Sequence, residues 1–461
     1  MIRPIAWVAL IATLTACSKS ERATLPPTQP AAKASPVVQA PSQPPSPSQP
    51  TAPSSAPSPQ TVVQAAPQPS APEPAKDEES FDWPVWRGPR GDGISREKDW
   101  KSTWPDAGPG QLWNQQIGIG FSSISVSSSR AFTMGWADGK DTVFCLDAAK
   151  GDVLWKHSYP CLLVDNLHEG GPAATPTVDG NRVYTVSKEG HLFCLDADKG
   201  TVVWSAELQK LLEVKMPEWG FSCSPLVRGE LLLLEAGRTA AFDKRTGQLV
   251  WKTNLYRPGY GSAVAMQVAG EAAIAVLNND CLLVVREKDG QEIAQTPWET
   301  QYVTTSTTPI PIGNTIFVST GYRQGCALFE LKGGKLEALY QNKNMANHMN
   351  NCVLFEGCLY GFSGNSHDRR RVDLVCLDAK SGEVKWKQGG LGCGSLMLAD
   401  GRLIALSDEG SLVIAKATSE SFQELGRAAI LDGRCWTVPV LANGRIYARN
   451  AAGKLVCVDV R

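Results

Sequence analysis

The strongest constraint on this chain is a repeat. Apolar residues, an Asp, three residues, a Gly, three residues and a Trp recur along most of its length. The clearest copies are Asp147…Gly151…Trp155, Asp196…Gly200…Trp204, Asp243…Gly247…Trp251 and Asp378…Gly382…Trp386. Weaker copies keep the register at Arg286…Gly290…Ala294, Glu330…Gly334…Ala338 and Lys416…Glu420…Glu424. Val456-Cys457-Val458-Asp459 begins an eighth, and successive copies lie 38 to 49 residues apart. In the second copy, Pro176 to Gly180 reads as a short strand into a turn and Arg182 to Ser187 as an alternating strand. Glu189-Gly190 then marks a tight hairpin, followed by strands from His191 to Asp196 and Thr201 to Trp204. Such units, with no helical segment between them, predict a propeller rather than a solenoid, which would need capping repeats.

The expected fold class is therefore all-β, an eight-bladed β-propeller of four-stranded antiparallel blades. The eighth copy stops before its Gly…Trp strand, and Leu112-Trp113, ahead of the first blade, has that strand's character. An N-terminal strand is expected to complete the last blade and close the ring, which removes exposed edges. Seven blades with a loose tail is the alternative, because the Lys416 copy is poor. Asp147, Asp196, Asp243 and Asp378 are expected to accept backbone hydrogen bonds in the turn that follows each of them. Trp155, Trp204, Trp251 and Trp386 are expected to bury an indole between neighbouring sheets, once per blade.

The chain ahead of the repeat is of another kind. Between Pro26 and Pro74 lie 16 of the 31 prolines and only two charges, Lys33 and Glu73. That stretch cannot bury a core and reads as a tether. Ile5 to Leu14 is apolar but too short to span a bilayer, and follows Arg3 as a signal-peptide core would. Leu14-Thr15-Ala16-Cys17 resembles a bacterial lipobox, which implies cleavage before Cys17 and acylation of its thiol; an ordinary signal peptide is the alternative. Ser18 in the next position implies, by the same resemblance to Gram-negative sorting, the outer membrane facing the periplasm. The expected domains are a leader over 1–16, a lipidated Cys17 with tether over 17–80, a lead-in over 81–112 and the propeller over 113–461. A net charge of −1 argues against nucleic acid or an anionic membrane surface as the main partner.

The Asp-Ala-x-x-Gly-x-x-x-Trp signature resembles the PQQ repeat of the quinoprotein-like propellers. Trp83-Pro-Val-Trp86-Arg87-Gly88-Pro89 resembles the lead-in of PQQ-binding-like propeller proteins. That superfamily holds PQQ-dependent alcohol dehydrogenases and also BamB-like outer-membrane lipoproteins, which are non-catalytic scaffolds. The resemblance implies fold more than function. Its catalytic members are similar in a vicinal Cys-Cys pair, a Trp floor and acidic and amide calcium ligands. This chain has no Cys-Cys dipeptide, and those ligands do not map onto it, so no PQQ and no catalytic residue is expected. None of the five histidines, His157, His168, His191, His348 and His367, forms a close metal-ligand spacing, so no metal is expected either. Ser222-Cys223-Ser224 reads as small residues entering an inner strand rather than a nucleophile, and Arg369-Arg370-Arg371 as a solvated loop.

Loops leading into the innermost strands of a propeller converge on one channel mouth. Here they are rich in Gly, aromatic and amide residues. Trp219, Tyr260, His348, Asn350, Asn351, Arg434 and Trp436 are the candidates for a ligand or partner surface there; close packing of small residues about the axis is the bland alternative. The leading functional expectation is a lipid-anchored, monomeric scaffold binding envelope proteins. A diverged PQQ-type oxidoreductase and a binder of envelope glycan or another small ligand are the alternatives. Of 13 cysteines, Cys17 is set aside as the anchor, and Cys145, Cys194, Cys376 and Cys457 share one strand position in four blades. Residues equivalent by repeat lie too far apart for a disulfide.

Overall fold

The computed structural model describes residues 80–461. The leader, Cys17 and the tether expected within residues 1–79 lie outside the described residues. Eight antiparallel sheets follow one another along the chain, at 125–160, 177–207, 226–252, 264–297, 310–342, 353–388, 395–429 and 440–459. We number these blades 1 to 8. Inner strands such as Arg182–Val186 are buried on both faces, because each blade is sandwiched between two others, whereas the outer strand Val202–Glu207 alternates with solvent. The Lys416 copy forms a full blade 7, which removes the seven-blade alternative. Leu208–Leu212 forms one helical turn that the repeat does not announce.

The ring closes through the N-terminal strand. Gln111–Gln116 pairs antiparallel with Lys454–Asp459, and Trp113 stands opposite Cys457. Trp155 stands opposite Cys145, Trp204 opposite Cys194 and Trp386 opposite Cys376 in the same way. In each blade a bulge shifts the register of the outer strand at this point. The bulge turns the side chain toward the next blade.

The repeat motif is an interface between blades. Each Asp accepts two amide hydrogen bonds, Asp147 from Ala149 and Lys150, both at 2.9 Å. Asp196, Asp243 and Asp378 hold their own turns identically. Each indole N–H donates to a carbonyl of the following blade's turn, Trp113 to Ala148, Trp155 to Ala197, Trp204 to Lys244, Trp251 to Glu287 and Trp386 to Thr418. The rings of Trp113, Trp155, Trp204 and Trp251 lie against that turn's Gly, and Trp386, whose partner turn has no Gly, meets Phe422 instead. A Cβ at Gly151 would stand 2.6 Å from Trp113 Cδ2, and one at Gly200 2.5 Å from Trp155 Cε3. The Gly of one copy thus receives the Trp of the copy before it. Two weak copies are displaced from the sequence register. In blade 5 the docking residue is Tyr340, not Ala338, and its hydroxyl donates to Ala379 O at 3.0 Å. In blade 7 the position falls on Gly426, not Glu424. In both, two more residues separate the third-strand position from the docking residue: in blade 5 the strands run on to a tight hairpin at Gly333-Gly334, and in blade 7 the turn itself lengthens to 417–423, which moves the bulge.

The lead-in occupies the central channel. Phe81 and Asp82 bond Asn443 and Ser128 in turns at one mouth. Trp83 then bridges Val126 in blade 1, and Pro84 O accepts from Val178 N of blade 2 at 2.8 Å. The chain reverses over Gly88, whose φ is +77° and whose Cβ would meet the Trp83 ring at 2.6 Å, so glycine is required. Ile94–Ser95 descends parallel to Ser395–Ala399 of blade 7, and Glu97 returns to Gly444 beside the starting point. Arg87, buried at the tip, donates to Gly91 O at 3.0 Å, Asp92 O at 3.1 Å and Cys352 O of the loop before blade 6 at 3.2 Å. One mouth is thereby filled, and the other is left as a concavity.

Candidate functional site at the channel mouth

Trp86, beside the tip of the lead-in, contributes to the lining of a cavity of about 200 Å³ at the open mouth. The loops that feed the innermost strands supply its aromatic wall. Phe121 stacks on Trp436 with centroids 5.5 Å apart and meets His168 edge-on at 5.4 Å. Trp219 meets Tyr260 edge-on at 5.7 Å. Tyr322 packs against His348 at 4.8 Å and against Tyr302 at 5.1 Å. Between these rings the wall carries hydroxyls, among them Ser222, Ser262, Thr304, Ser306 and Thr437. On the rim, Arg434 lies 4.4 Å over the Trp436 ring and pairs with Glu169 at 2.7 Å.

Burial sets the charge of the site. It pushes His168 and His348 down to about 4, with Lys188 and Arg434 adding to the effect on His168 and His367 to that on His348, so both imidazoles are neutral at pH 7. Burial also pushes Lys188 down to about 8, against the pull of Asp141 and Cys161. Its ammonium donates to Trp219 O at 2.7 Å. Among the described residues lining the cavity, Lys188 is the one carrying charge at pH 7, and no carboxylate faces it. Such a wall suits flat apolar groups, hydroxyl donors and acceptors and one negative charge.

It does not suit a quinone dehydrogenase. A flat anionic quinone with its divalent cation calls for carboxylate and amide ligands and a carboxylate base. The wall offers Asn350, whose amide N–H already donates to Gly394 O at 3.0 Å. Nor does it form a serine nucleophile. Ser222 Oγ stands 3.5 Å from Lys188 Nζ, beyond the 2.6–3.2 Å that such a pair needs. Ser224 Oγ accepts from Thr175 N, and Cys223 is buried.

Of the residues that the sequence singles out, Trp219, Tyr260, His348, Asn350 and Trp436 line the cavity. Asn351 instead clamps blade 5, accepting from Thr308 N at 3.2 Å and donating to Thr308 O at 2.6 Å. Arg434 stands outside the wall. Sequence reasoning passed over Trp86, Lys188 and Tyr322, which come from the lead-in and from hairpins between second and third strands rather than from the feeding loops. The fold also brings Cys161, Glu189 and His191 together, with ligand atoms within 4.8 Å of one another, from two blades whose sequence spacing gives no metal signature. The Arg369 run lies in a short turn, Ser366–Arg371, where Arg369 pairs with Asp408 of blade 7's hairpin at 3.0 Å.

A family model described as outer membrane protein assembly factor BamB matches residues 97–339, more than half of the chain. The chain belongs to this family of PQQ-repeat propellers. Among solved structures, BamB from Moraxella catarrhalis is similar at 14% identity, with a TM-score of 0.56 over 76% of this chain and 100% of that one. Quinohemoprotein alcohol dehydrogenase from Comamonas testosteroni is similar at 12% identity, with a TM-score of 0.64 over 82% of this chain and 80% of that one. A second quinohemoprotein alcohol dehydrogenase, from Pseudomonas putida HK5, is similar at 11% identity, with a TM-score of 0.60 over 82% and 80%. At these identities the likeness is one of fold. Among curated proteins, no sequence matches the chain.

Proposed function

We propose that this protein is a non-catalytic scaffold of the cell envelope that holds a partner protein at the open channel mouth. It is anchored through acylated Cys17 to the outer membrane, faces the periplasm and stands off on the tether within residues 17–80. The propeller is monomeric in this reading and uses no cofactor. The observation that carries the proposal is the apolar rim: Leu167 is 84% exposed and Tyr302 60% exposed, beside a wall of paired rings. Exposed apolar surface continuous with an aromatic concavity is what a protein partner covers. The backbone there is strained, with Leu167 at φ +62°, Tyr302 at +71° and the β-branched Val303 at +57°. Strain of this kind persists where side chains are held out for a purpose.

The test is site-directed photocross-linking of the full chain in its own envelope. A photoreactive residue at position 167 or 302 should capture one envelope protein, and Trp219→Ala plus Trp436→Ala should abolish the capture. Cross-linking only to lipid or to nothing would sink the scaffold. Stoichiometric uptake of PQQ with Ca²⁺, followed by dye-linked alcohol oxidation, would replace it with the dehydrogenase. Envelope glycan that binds the wild type but not the double variant would replace it with a glycan receptor.

A further inference from the structure

The interface between blades 1 and 2 is short of hydrogen-bond partners. Asp141 is fully buried, and neither of its carboxylate oxygens has a partner. The Tyr159 and Thr185 hydroxyls and His157 Nε2 are buried and unpartnered in the same interface. Tyr159 stands beside Asp141 in the sheet, and its ring packs on His191 at 5.6 Å and Phe193 at 4.6 Å. Buried polar groups in folded proteins are ordinarily paired, and a naked carboxylate is the most costly exception. A concentration of such groups in one place points to something they bind.

Beside Asp141 lie Cys161, Lys188 and Glu189. Cys161 is 5% exposed, and its sulfur, a Glu189 oxygen and a His191 nitrogen lie within 4.8 Å of one another. We infer that Cys161, Glu189, His191 and Asp141 form a site for a divalent zinc-class cation between blades 1 and 2.

The donor set is the first argument. One thiolate, one imidazole and two carboxylates are ligands that zinc takes in tetrahedral sites, with bonds of about 2.0 to 2.3 Å. Cys161, Glu189 and His191 would draw in to reach that geometry, which the tip of the 187–190 hairpin and a Cys side chain allow, and Asp141, outside that group but beside Cys161, would turn in to complete it. Charge is the second. Three anionic donors against a dication leave one negative charge, and the buried Lys188 ammonium balances it. Outer contacts are the third. Ser187 Oγ lies 3.0 Å from His191 Nδ1, and Glu189 accepts from Leu162 N at 2.8 Å, so two of the donors are held from behind. Glu189 and His191 are half-exposed, which gives an ion access.

The experiment uses the whole purified chain, freed of metal by a chelator and titrated with Zn²⁺ and with Co²⁺ as a spectroscopic probe. One equivalent of either ion should bind, with a sulfur-to-cobalt charge-transfer band and a raised melting temperature. Cys161→Ser, close in shape to the native residue, should lose the band and weaken binding by more than about 100-fold. Asp141→Asn should weaken binding at least about 10-fold while sparing the band. Intrinsic tryptophan fluorescence reports whether each variant is folded, and His191→Gln serves if one is not. The absence of saturable binding would overturn the site, as would a cobalt spectrum that Cys161→Ser leaves unchanged. The orphaned groups would then be satisfied by buried water.

Discussion

Gly151 is where ring closure is most open to test. It has φ +80°, and a Cβ there would stand 2.6 to 2.8 Å from Trp113 Cδ2, Cγ and Cε3. Gly151→Ala therefore carries two penalties. A left-handed backbone costs an L-residue about 1 to 2 kcal/mol. The methyl also drives a flat, rigid indole off its seat, and that indole is 7% exposed and donates to Ala148 O at 3.2 Å. Full loss of a buried aromatic costs about 3 to 5 kcal/mol, and a partly displaced ring loses about half of that. The total is about 3 to 4 kcal/mol. Gly180→Ala is the control, because Gly180 has φ +58° and nothing within 4 Å of a Cβ, so it carries the backbone penalty alone. In denaturant titration followed by tryptophan fluorescence, Gly151→Ala should lose about 2 kcal/mol more than Gly180→Ala. In the Trp113→Ala background the extra loss should vanish, leaving only the backbone penalty. Equal losses for the two glycines, or additive losses with Trp113→Ala, would refute the claim that this Gly exists to seat the indole that closes the ring.

Three further outcomes are expected. Burial holds His348 at about 4, below its ordinary 6.5, so below pH 6.5 the unfolded chain binds the proton first. The His348 share of stability, about 3 kcal/mol, is therefore full above pH 6.5 and lost as pH falls to about 4; His348→Gln should make that limb of the stability–pH curve shallower, leaving the like share of His168, and an unchanged limb contradicts the burial. All 12 cysteines from Cys145 to Cys457 are free and buried, so a thiol reagent should label none of them quickly in the native protein and all of them in denaturant; a shortfall in denaturant would reveal disulfides. Arg87→Ala removes three hydrogen bonds that hold the lead-in in the channel, at about 1 kcal/mol each, and should expose residues 83–96 to protease; continued protection would show that the segment is held some other way.

What was legible in the sequence follows from periodicity. An Asp that holds its own turn and a Gly that must admit an indole leave the full mark four times, and weaker copies at the same spacing fill the rest, so blade number and closure are legible in the sequence. The register failed only where two residues were added between the third-strand position and the docking residue, in the strands of blade 5 and in the turn of blade 7, at Tyr340 and Gly426, because spacing was the sole guide there. The mouth was half legible. Its feeding loops occupy a predictable place in each copy, which found Trp219, Tyr260, His348, Asn350 and Trp436. Trp86 was hidden because it belongs to no copy: the lead-in enters the channel through backbone hydrogen bonds to inner strands, and such bonds leave no side-chain pattern. The Gly88, Gly91 and Gly93 cluster was its one trace, since a chain reversing inside a channel needs positive φ.

The Cys161 cluster shows the same limit from the other side. Its donors come from the end of one blade and the hairpin of the next, some 30 residues apart, so no local spacing could declare them. Yet the interface they occupy holds the largest group of unpartnered buried side-chain atoms among the described residues. Five of the eight joints are sealed by an indole that donates to the next blade's turn. Between blades 1 and 2 that seal is present at Trp155 and Gly200, and the orphaned Asp141 lies in addition to it. Glu235, buried in blade 3, accepts from Gly237 N and from the Thr239 hydroxyl, whereas the buried Asp141 oxygens have no such partner, which is what a carboxylate kept for binding would show.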